Sequence, residues 1–175
     1  MAAAAVVFNA MRERQSNSLG NFFSYFLKSC TRVLLPISLV TAVILVFSGT
    51  PMTFKGAAEF ISLEGDSMHV ARGPAAAMIA IKQAGTNGGG FFGVNSSHPL
   101  ENPTYFTNII ENVLILLIPM AMIFALGYYL KRKKLAWTIF GVMMTGFILL
   151  LIPTIYQELN GNPALHQLGI GQQLG

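Results

Sequence analysis

Between Thr104 and Leu130 the chain carries one charged side chain, Glu111, and between Leu135 and Tyr156 it carries none. Each stretch reaches the roughly 20 apolar residues that take a helix across a hydrocarbon core. A third run, Thr31 to Phe47, has Pro36 near its start, a kink that spanning helices tolerate. Lipid supplies no hydrogen bonds to an open backbone, so such runs are viable only as helices that satisfy their own peptide groups. With 53% hydrophobic and 10% charged residues, against about a quarter charged in soluble domains, the chain reads as an all-α integral membrane protein. A net charge of +4 does not point to nucleic acid, because the basic residues flank apolar runs and form no stripe with interleaved aromatics. The single cysteine, Cys30, excludes an intrachain disulfide and any multi-cysteine metal site, and reads as a small helical residue.

The N-terminal run Met1 to Phe8 is apolar but has no positive residue before it and is too short to span, so it reads as the end of a preceding helix over 1–10 rather than a secretory signal. Residues 19–48 are expected to form an interfacial helix, with Phe22, Phe23, Tyr25, Phe26 and Leu27 at near-helical spacing, running into the first span. The polar stretch 49–73 has room for a short hairpin between Thr53 and Val70. Residues 74–103 follow as a short helix, a glycine run and a polar loop. Spans over 104–130 and 135–156 are joined by Lys131-Arg132-Lys133-Lys134, and 157–175 forms a polar tail. Proline at 103, just inside an N-cap in Glu101-Asn102-Pro103-Thr104, is the expected start of the second span.

The flanking charges orient these spans. The side holding 11–32 and 131–134 has eight basic residues and one acid, whereas the side holding 49–103 and 157–175 has three basic residues and five acids. Basic residues favour the cytoplasmic side, so 49–103 and 157–175 are expected outside and 131–134 within.

The segment 74–84 is apolar, opens on Pro74 and closes on Gly85, and would give about 16 Å of helix, half a hydrocarbon core. It runs into Gly85-Thr86-Asn87-Gly88-Gly89-Gly90-Phe91-Phe92, the one place where three glycines stand together. A half-length apolar helix followed by an extended glycine segment is what a re-entrant pore loop needs. Against the potassium-channel filter pattern Thr-Val-Gly-Tyr-Gly, Thr86, Gly88 and Gly90 match. A potassium ion enters a narrow pore only if oxygens replace its hydration shell. A strand that turns successive carbonyls inward must alternate ordinary and mirror-image conformations, which glycine adopts freely. Thr86, Asn87, Gly88, Gly89 and Gly90 are therefore the candidate potassium-binding residues, with Gly85, Phe91, Phe92 and Glu111 as candidate support. The carbonyl end of the short helix would add partial negative charge.

Other chemistry is poorly served. A phosphate-cradling P-loop needs Gly-Lys-Ser/Thr after a strand, which is absent, and no dinucleotide fingerprint with a later ribose-binding acid is read here. His98, before Pro99, reads as a loop histidine at the outer surface. Glu111, with Asn108 and Asn112, puts polar groups in the outer half of a span, where an acid is a functional candidate by default and snorkelling is the alternative. The basic cluster 131–134 reads as a positive-inside anchor, with a docking surface as the second reading. Ser, His and Asp form no nucleophilic set.

The motifs Gly73-Pro74, Ala80-Ile81-Lys82, Gly85 to Phe92, Asn95-Ser96-Ser97-His98-Pro99, Glu101-Asn102-Pro103-Thr104, Thr107-Asn108 and Gly161-Asn162-Pro163 resemble the potassium-binding A subunit of the bacterial Kdp potassium-transporting ATPase. The resemblance covers nearly the whole chain, including Leu19-Gly20-Asn21. It implies a channel-like subunit from the superfamily of potassium transporters, in which four repeats of helix, pore loop and helix form one filter. It implies potassium as the bound ion, no organic cofactor and no ATPase activity in this subunit. A P-type ATPase B subunit hydrolyses ATP, with C and small F subunits completing a complex in the bacterial cytoplasmic (inner) membrane. On that pattern Thr86 to Gly90 are the filter residues of one repeat, the second of four. The pore helix departs from the pattern at Ala77-Met78-Ile79, where many relatives have Ser-Gln-Glu, so any role of those polar groups is absent or moved. The family's subunit is several times longer, so the expectation is a fragment holding one repeat, needing the remaining repeats of the subunit. The alternatives are an inert truncated piece and a homo-oligomeric channel built from four copies of the loop.

Overall fold

A computed structural model describes residues 1–13, 18–61, 65–86 and 89–161. Most of these are helical, and three helices are long and apolar enough to cross a membrane: Phe22–Phe47, Tyr105–Tyr129 and Lys133–Asn160. The chain divides into two units, Met1–Met122 and Ile123–Gly175.

The first unit opens with α1 (Ala2–Arg12). Its Asn9 amide donates to the Leu19 carbonyl at 2.8 Å and to the Tyr25 hydroxyl at 3.0 Å. Asn21 caps α2 (Phe22–Ser29), its side chain accepting from the Ser24 N–H at 3.2 Å. The interfacial helix and the span expected over 19–48 prove continuous, because a π-helical turn, Cys30–Leu34, carries α2 into α3 (Leu35–Phe47). In that turn the Leu35 N–H reaches back five residues to the Cys30 carbonyl. Pro36 follows at once. It has no N–H to give, and in a regular helix its ring would press on the Arg32 carbonyl, so the widened turn relieves a conflict that Pro36 creates.

The expected hairpin is present as β1 (Ala58–Ile61) and β2 (Ser67–Val70), antiparallel, with Ala58 opposite Val70 and Ile61 opposite Ser67. Residues 62–64 lie outside the described residues. The chain then enters α4 (Ala75–Ala84), ten residues long. Pro74 stands before this helix instead of inside it, with ψ at 50°. The first turn of α4 hangs on the loop before it, the Ala76 N–H donating to the Pro51 carbonyl at 3.0 Å. Small side chains let α4 lie close against α3. Ala75, Ala76, Ile79 and Ala80 are buried with Leu45, and Ala42 and Phe92 pack over them.

α5 (Tyr105–Tyr129) starts later than expected. The cap is Thr104, whose hydroxyl accepts from the Thr107 N–H while the Thr107 hydroxyl accepts from the Thr104 N–H, each at 3.1 Å. This reciprocal pair does the work of a capping box and leaves Pro103 outside the helix. Asn102 serves it from behind, its oxygen accepting from the Thr107 hydroxyl at 2.6 Å.

In the second unit, α5 ends by a backbone device. Lys131 adopts φ 54°, the Arg132 N–H reaches the Gly127 carbonyl at 2.8 Å, and the Lys131 N–H reaches that of Tyr128 at 3.1 Å. This is a Schellman turn with lysine where glycine is usual. α6 (Lys133–Asn160) therefore takes Lys133 and Lys134 into its first turn and runs on to Asn160, beyond both expected ends. A side chain at Gly127 would strike the Ala136 methyl, so glycine permits the close approach of the two helices. Phe124, Trp137 and Phe140 pack their rings beside this contact.

Candidate functional site

α4 ends at the glycine run, and its exit departs from expectation. Gly85, at the C-terminal cap, keeps φ at −76°. The left-handed step falls one residue later, on Thr86 at φ 61°, with the Thr86 N–H donating to the Gln83 carbonyl at 3.1 Å. A β-branched residue pays more for this conformation than glycine does. Asn87 and Gly88, both candidate filter residues, lie outside the described residues. Gly89 has φ 112° and Gly90 does not have positive φ, so the two described glycines of the run differ in hand. The Gly89 carbonyl accepts from the Asn95 N–H at 3.3 Å. A pocket of about 210 Å³ lies between α4 and the run, lined by Met78, Ile79, Lys82, Gly89, Gly90 and Phe91.

Gly90 must be glycine for a different reason. A Cβ there would collide with the Gly93 carbonyl and lie 3.2 Å from a Glu101 carboxylate oxygen, because the chain doubles back at once. Phe91 lays its ring against Gly73, where a Cβ would have no room. Phe92 meets Phe91 edge-on at 4.8 Å and stacks on His98 at 5.3 Å. His98 is thus half-buried rather than a free surface residue, and its Nδ1 accepts from the Leu100 N–H at 3.1 Å. Gly88, Gly90 and Gly93 do have the Gly-x-Gly-x-x-Gly spacing. A helix precedes them and a three-residue 3-10 turn, Val94–Ser96, follows, the reverse of the strand–turn–helix setting of a dinucleotide site.

Behind this segment sits a buried polar cluster that the sequence reading did not assemble. Glu101 is fully buried. One of its oxygens accepts from the Phe92 N–H at 2.6 Å and the Gly93 N–H at 3.2 Å. The other accepts from the Lys82 ammonium at 2.7 Å and the Ser96 hydroxyl at 2.8 Å. Those four bonds match the capacity of a carboxylate. Ser96 is also saturated: besides donating to Glu101, it accepts from Lys82 at 2.5 Å and from the Gln83 amide at 3.0 Å. Gln83 carries the cluster on to α5, donating to one Glu111 oxygen at 2.7 Å, while the other Glu111 oxygen has no hydrogen-bond partner. Burial pushes the Glu101 carboxyl up, but the Lys82 ammonium, the Phe92 N–H, the Ser96 hydroxyl and the Gly93 N–H outweigh it and hold the group at about 2.

Asn95 and Ser96 both take left-handed conformations, at φ 53° and 58°. The three bonds of the Ser96 hydroxyl are what hold the chain there. Of the expected support residues, Glu111 joins the cluster through Gln83, Phe92 joins it through its N–H, and Phe91 and Gly85 stay outside it. Lys82, Gln83, Ser96 and Glu101 are the additions. The one signal available beforehand was Lys82 itself, a charge in the last turn of an otherwise apolar helix, which needs a buried partner.

The family described as potassium-transporting ATPase A subunit matches residues 1–175. A potassium-transporting ATPase potassium-binding subunit of Flavobacterium psychrophilum is 63% identical over 175 residues, all of this chain and 30% of that protein. Proteins of the same description from Bacteroides thetaiotaomicron and Pseudomonas syringae are 53% and 42% identical, covering 100% and 98% of the chain. The chain spans about 30% of the length of these curated relatives.

Proposed function

Because the chain belongs to the family of potassium-transporting ATPase A subunits and is a multi-pass membrane protein, we propose that it supplies one quarter of a potassium filter. Residues 19–130 form one helix, pore loop and helix repeat in this reading, and the span over 135–156 leads to the next. Thr86, Asn87, Gly88, Gly89 and Gly90 offer their carbonyls, and Thr86 its hydroxyl, to a dehydrating potassium ion. The observation that carries the reading is α4: ten residues, half of a hydrocarbon core, ending in the glycine run with irregular backbone held by buried polar side chains. Irregular backbone at membrane depth is tolerable only where it is buried or lines a water-filled space.

The charge asymmetry sets the glycine run on the outer side of a bacterial cytoplasmic membrane. One loop cannot enclose an ion, so the remaining repeats of a longer subunit complete the ring. In this reading ATP is hydrolysed by a partner, the P-type ATPase B subunit, with C and small F subunits beside it. The subunit itself binds and passes the ion without catalysing a reaction.

The test replaces Gly88 with valine in a full-length subunit that carries this segment. Uptake at low external potassium should fall by at least about tenfold, since a branched residue resists the mirror-image backbone. Unchanged uptake and ion preference would sink the reading. The segment reconstituted alone should pass no potassium. A measurable flux would favour a self-assembled ring instead.

A further inference from the structure

Lys82 and Glu101 come from different parts of the loop and meet at the place where the glycine run ends. Lys82 lies on the last turn of α4, and Glu101 lies beyond the polar loop, nineteen residues on. The Glu101 oxygen that does not face Lys82 accepts the N–H groups of Phe92 and Gly93, the second and third residues after Gly90. In a trans peptide the N–H and the preceding carbonyl point in opposite directions, and no peptide bond here is cis. Drawing the Phe92 and Gly93 N–H groups onto the carboxylate therefore turns the carbonyls of Phe91 and Phe92 away from the cluster. The two peptide planes at the outer end of the run are oriented by one side chain, and Lys82 and Ser96 fix that side chain to α4.

We propose that Lys82, Ser96 and Glu101 form a clasp that sets the orientation of the outer end of the filter, with Glu101 as a positioning residue for ion selection. The proposal rests on the filter reading of Thr86 to Gly90. The clasp fixes how far the exit of the run stands from the pore helix, and so how closely oxygens can approach an ion. It also cancels the one cation on α4. An unpaired Lys82 ammonium would oppose the partial negative charge at the carbonyl end of that helix, which faces the run.

The variant K82M/E101M, in a full-length subunit assembled with its transporter, removes both charges together and keeps the volume. A buried ion pair replaced as a pair is well tolerated, while the two backbone N–H groups lose their acceptor. The expected result is a KM for potassium raised about tenfold, equivalent to about 1.4 kcal/mol. Discrimination between potassium and rubidium should narrow, with a smaller change in maximal rate. S96A leaves the ion pair and both N–H bonds in place, and should shift KM the same way by about threefold, since it loses one buried hydroxyl bridge. S96A keeps the test decisive if the double variant does not fold.

KM and the potassium-to-rubidium ratio within about twofold of the parent, in every variant that folds, would overturn the clasp. A merely structural clasp would reduce the folded amount and leave both quantities unchanged, which overturns the proposal equally. Gly88→Val, measured alongside, separates the two levels. If it alters selectivity while the clasp variants do not, the clasp fails and the filter stands. If it alters nothing, the filter reading fails first.

Discussion

α4 and α6 are both apolar helices, yet they solve the backbone problem of a membrane in opposite ways. α6 is 28 residues long, makes its backbone hydrogen bonds within itself except at Pro153, which has no N–H to give, and buries one residue, Ala136. α4 is ten residues long and buries six. Its exit cannot satisfy the chain that follows, so side chains do it, with Glu101 taking two N–H groups and Ser96 joining three partners. The turn between α5 and α6 needs no such help, because its N–H groups return to the carbonyls of Gly127 and Tyr128. A full-length span buries little and depends on hydrophobicity. A half-length one must carry a polar core with it.

The sharpest way to break that contrast is at glycine. Gly90→Ala sends a methyl into the Gly93 carbonyl. It should destabilise the loop by about 3 kcal/mol, the upper range for overpacking, read as a loss of folded protein in detergent. Gly141→Ala in α6 meets nothing within 4 Å and should raise the unfolding temperature slightly, since alanine is better than glycine in a helix by up to about 1 kcal/mol. Equal effects at the two sites would erase the distinction drawn between the regions.

The next effect is that of acid. Glu101 is held at about 2 in the folded chain, against an ordinary value of 4.5. A carboxyl lowered on folding contributes stability above its unfolded value, and that contribution disappears as pH falls through the folded value. The clasp should therefore be intact above about pH 5 and lose up to about 3 kcal/mol between there and pH 2. Hydrogen exchange at the Phe92 and Gly93 amides should accelerate across that window beyond the intrinsic pH trend. The α5–α6 turn has no buried carboxylate among the described residues, and its Arg132 amide should show no such step.

The smallest effect sharpens the other side. Lys131 holds a left-handed conformation that glycine takes without steric penalty. Lys131→Gly should stabilise the turn by about 1 kcal/mol, seen as a higher melting temperature in detergent. A loss would mean that the lysine side chain, not the turn, holds the two helices.

The long spans could be read from the chain because composition alone decides them: Glu111 is the one charge between Thr104 and Leu130. The half-length of α4 and the start of the glycine run were legible from Pro74 and Gly85. The clasp was not, because it joins Lys82, Ser96 and Glu101 across fourteen and nineteen residues. Spacing along a chain says nothing about such meetings once the loop between has left-handed residues at Asn95 and Ser96. Asn102-Pro103-Thr104 misled for a local reason. Both Asn102 and Thr104 are good caps, and the choice between them turned on Thr107, a third residue able to answer Thr104 in kind.

The π-helical turn at Cys30–Leu34 works as a phase shifter. It holds one residue more per turn than the helix on either side, so tightening it to an ordinary helix with every residue kept would pass that residue's rotation on to the flanks. Successive residues in such a helix are set about 100° apart. That tightening would swing the aromatic face of Phe22, Phe23 and Phe26 around the axis by that angle relative to Leu45, while α3 stayed seated on α4. One turn therefore decides which face of α2 carries its rings, independently of the packing that holds the pore helix.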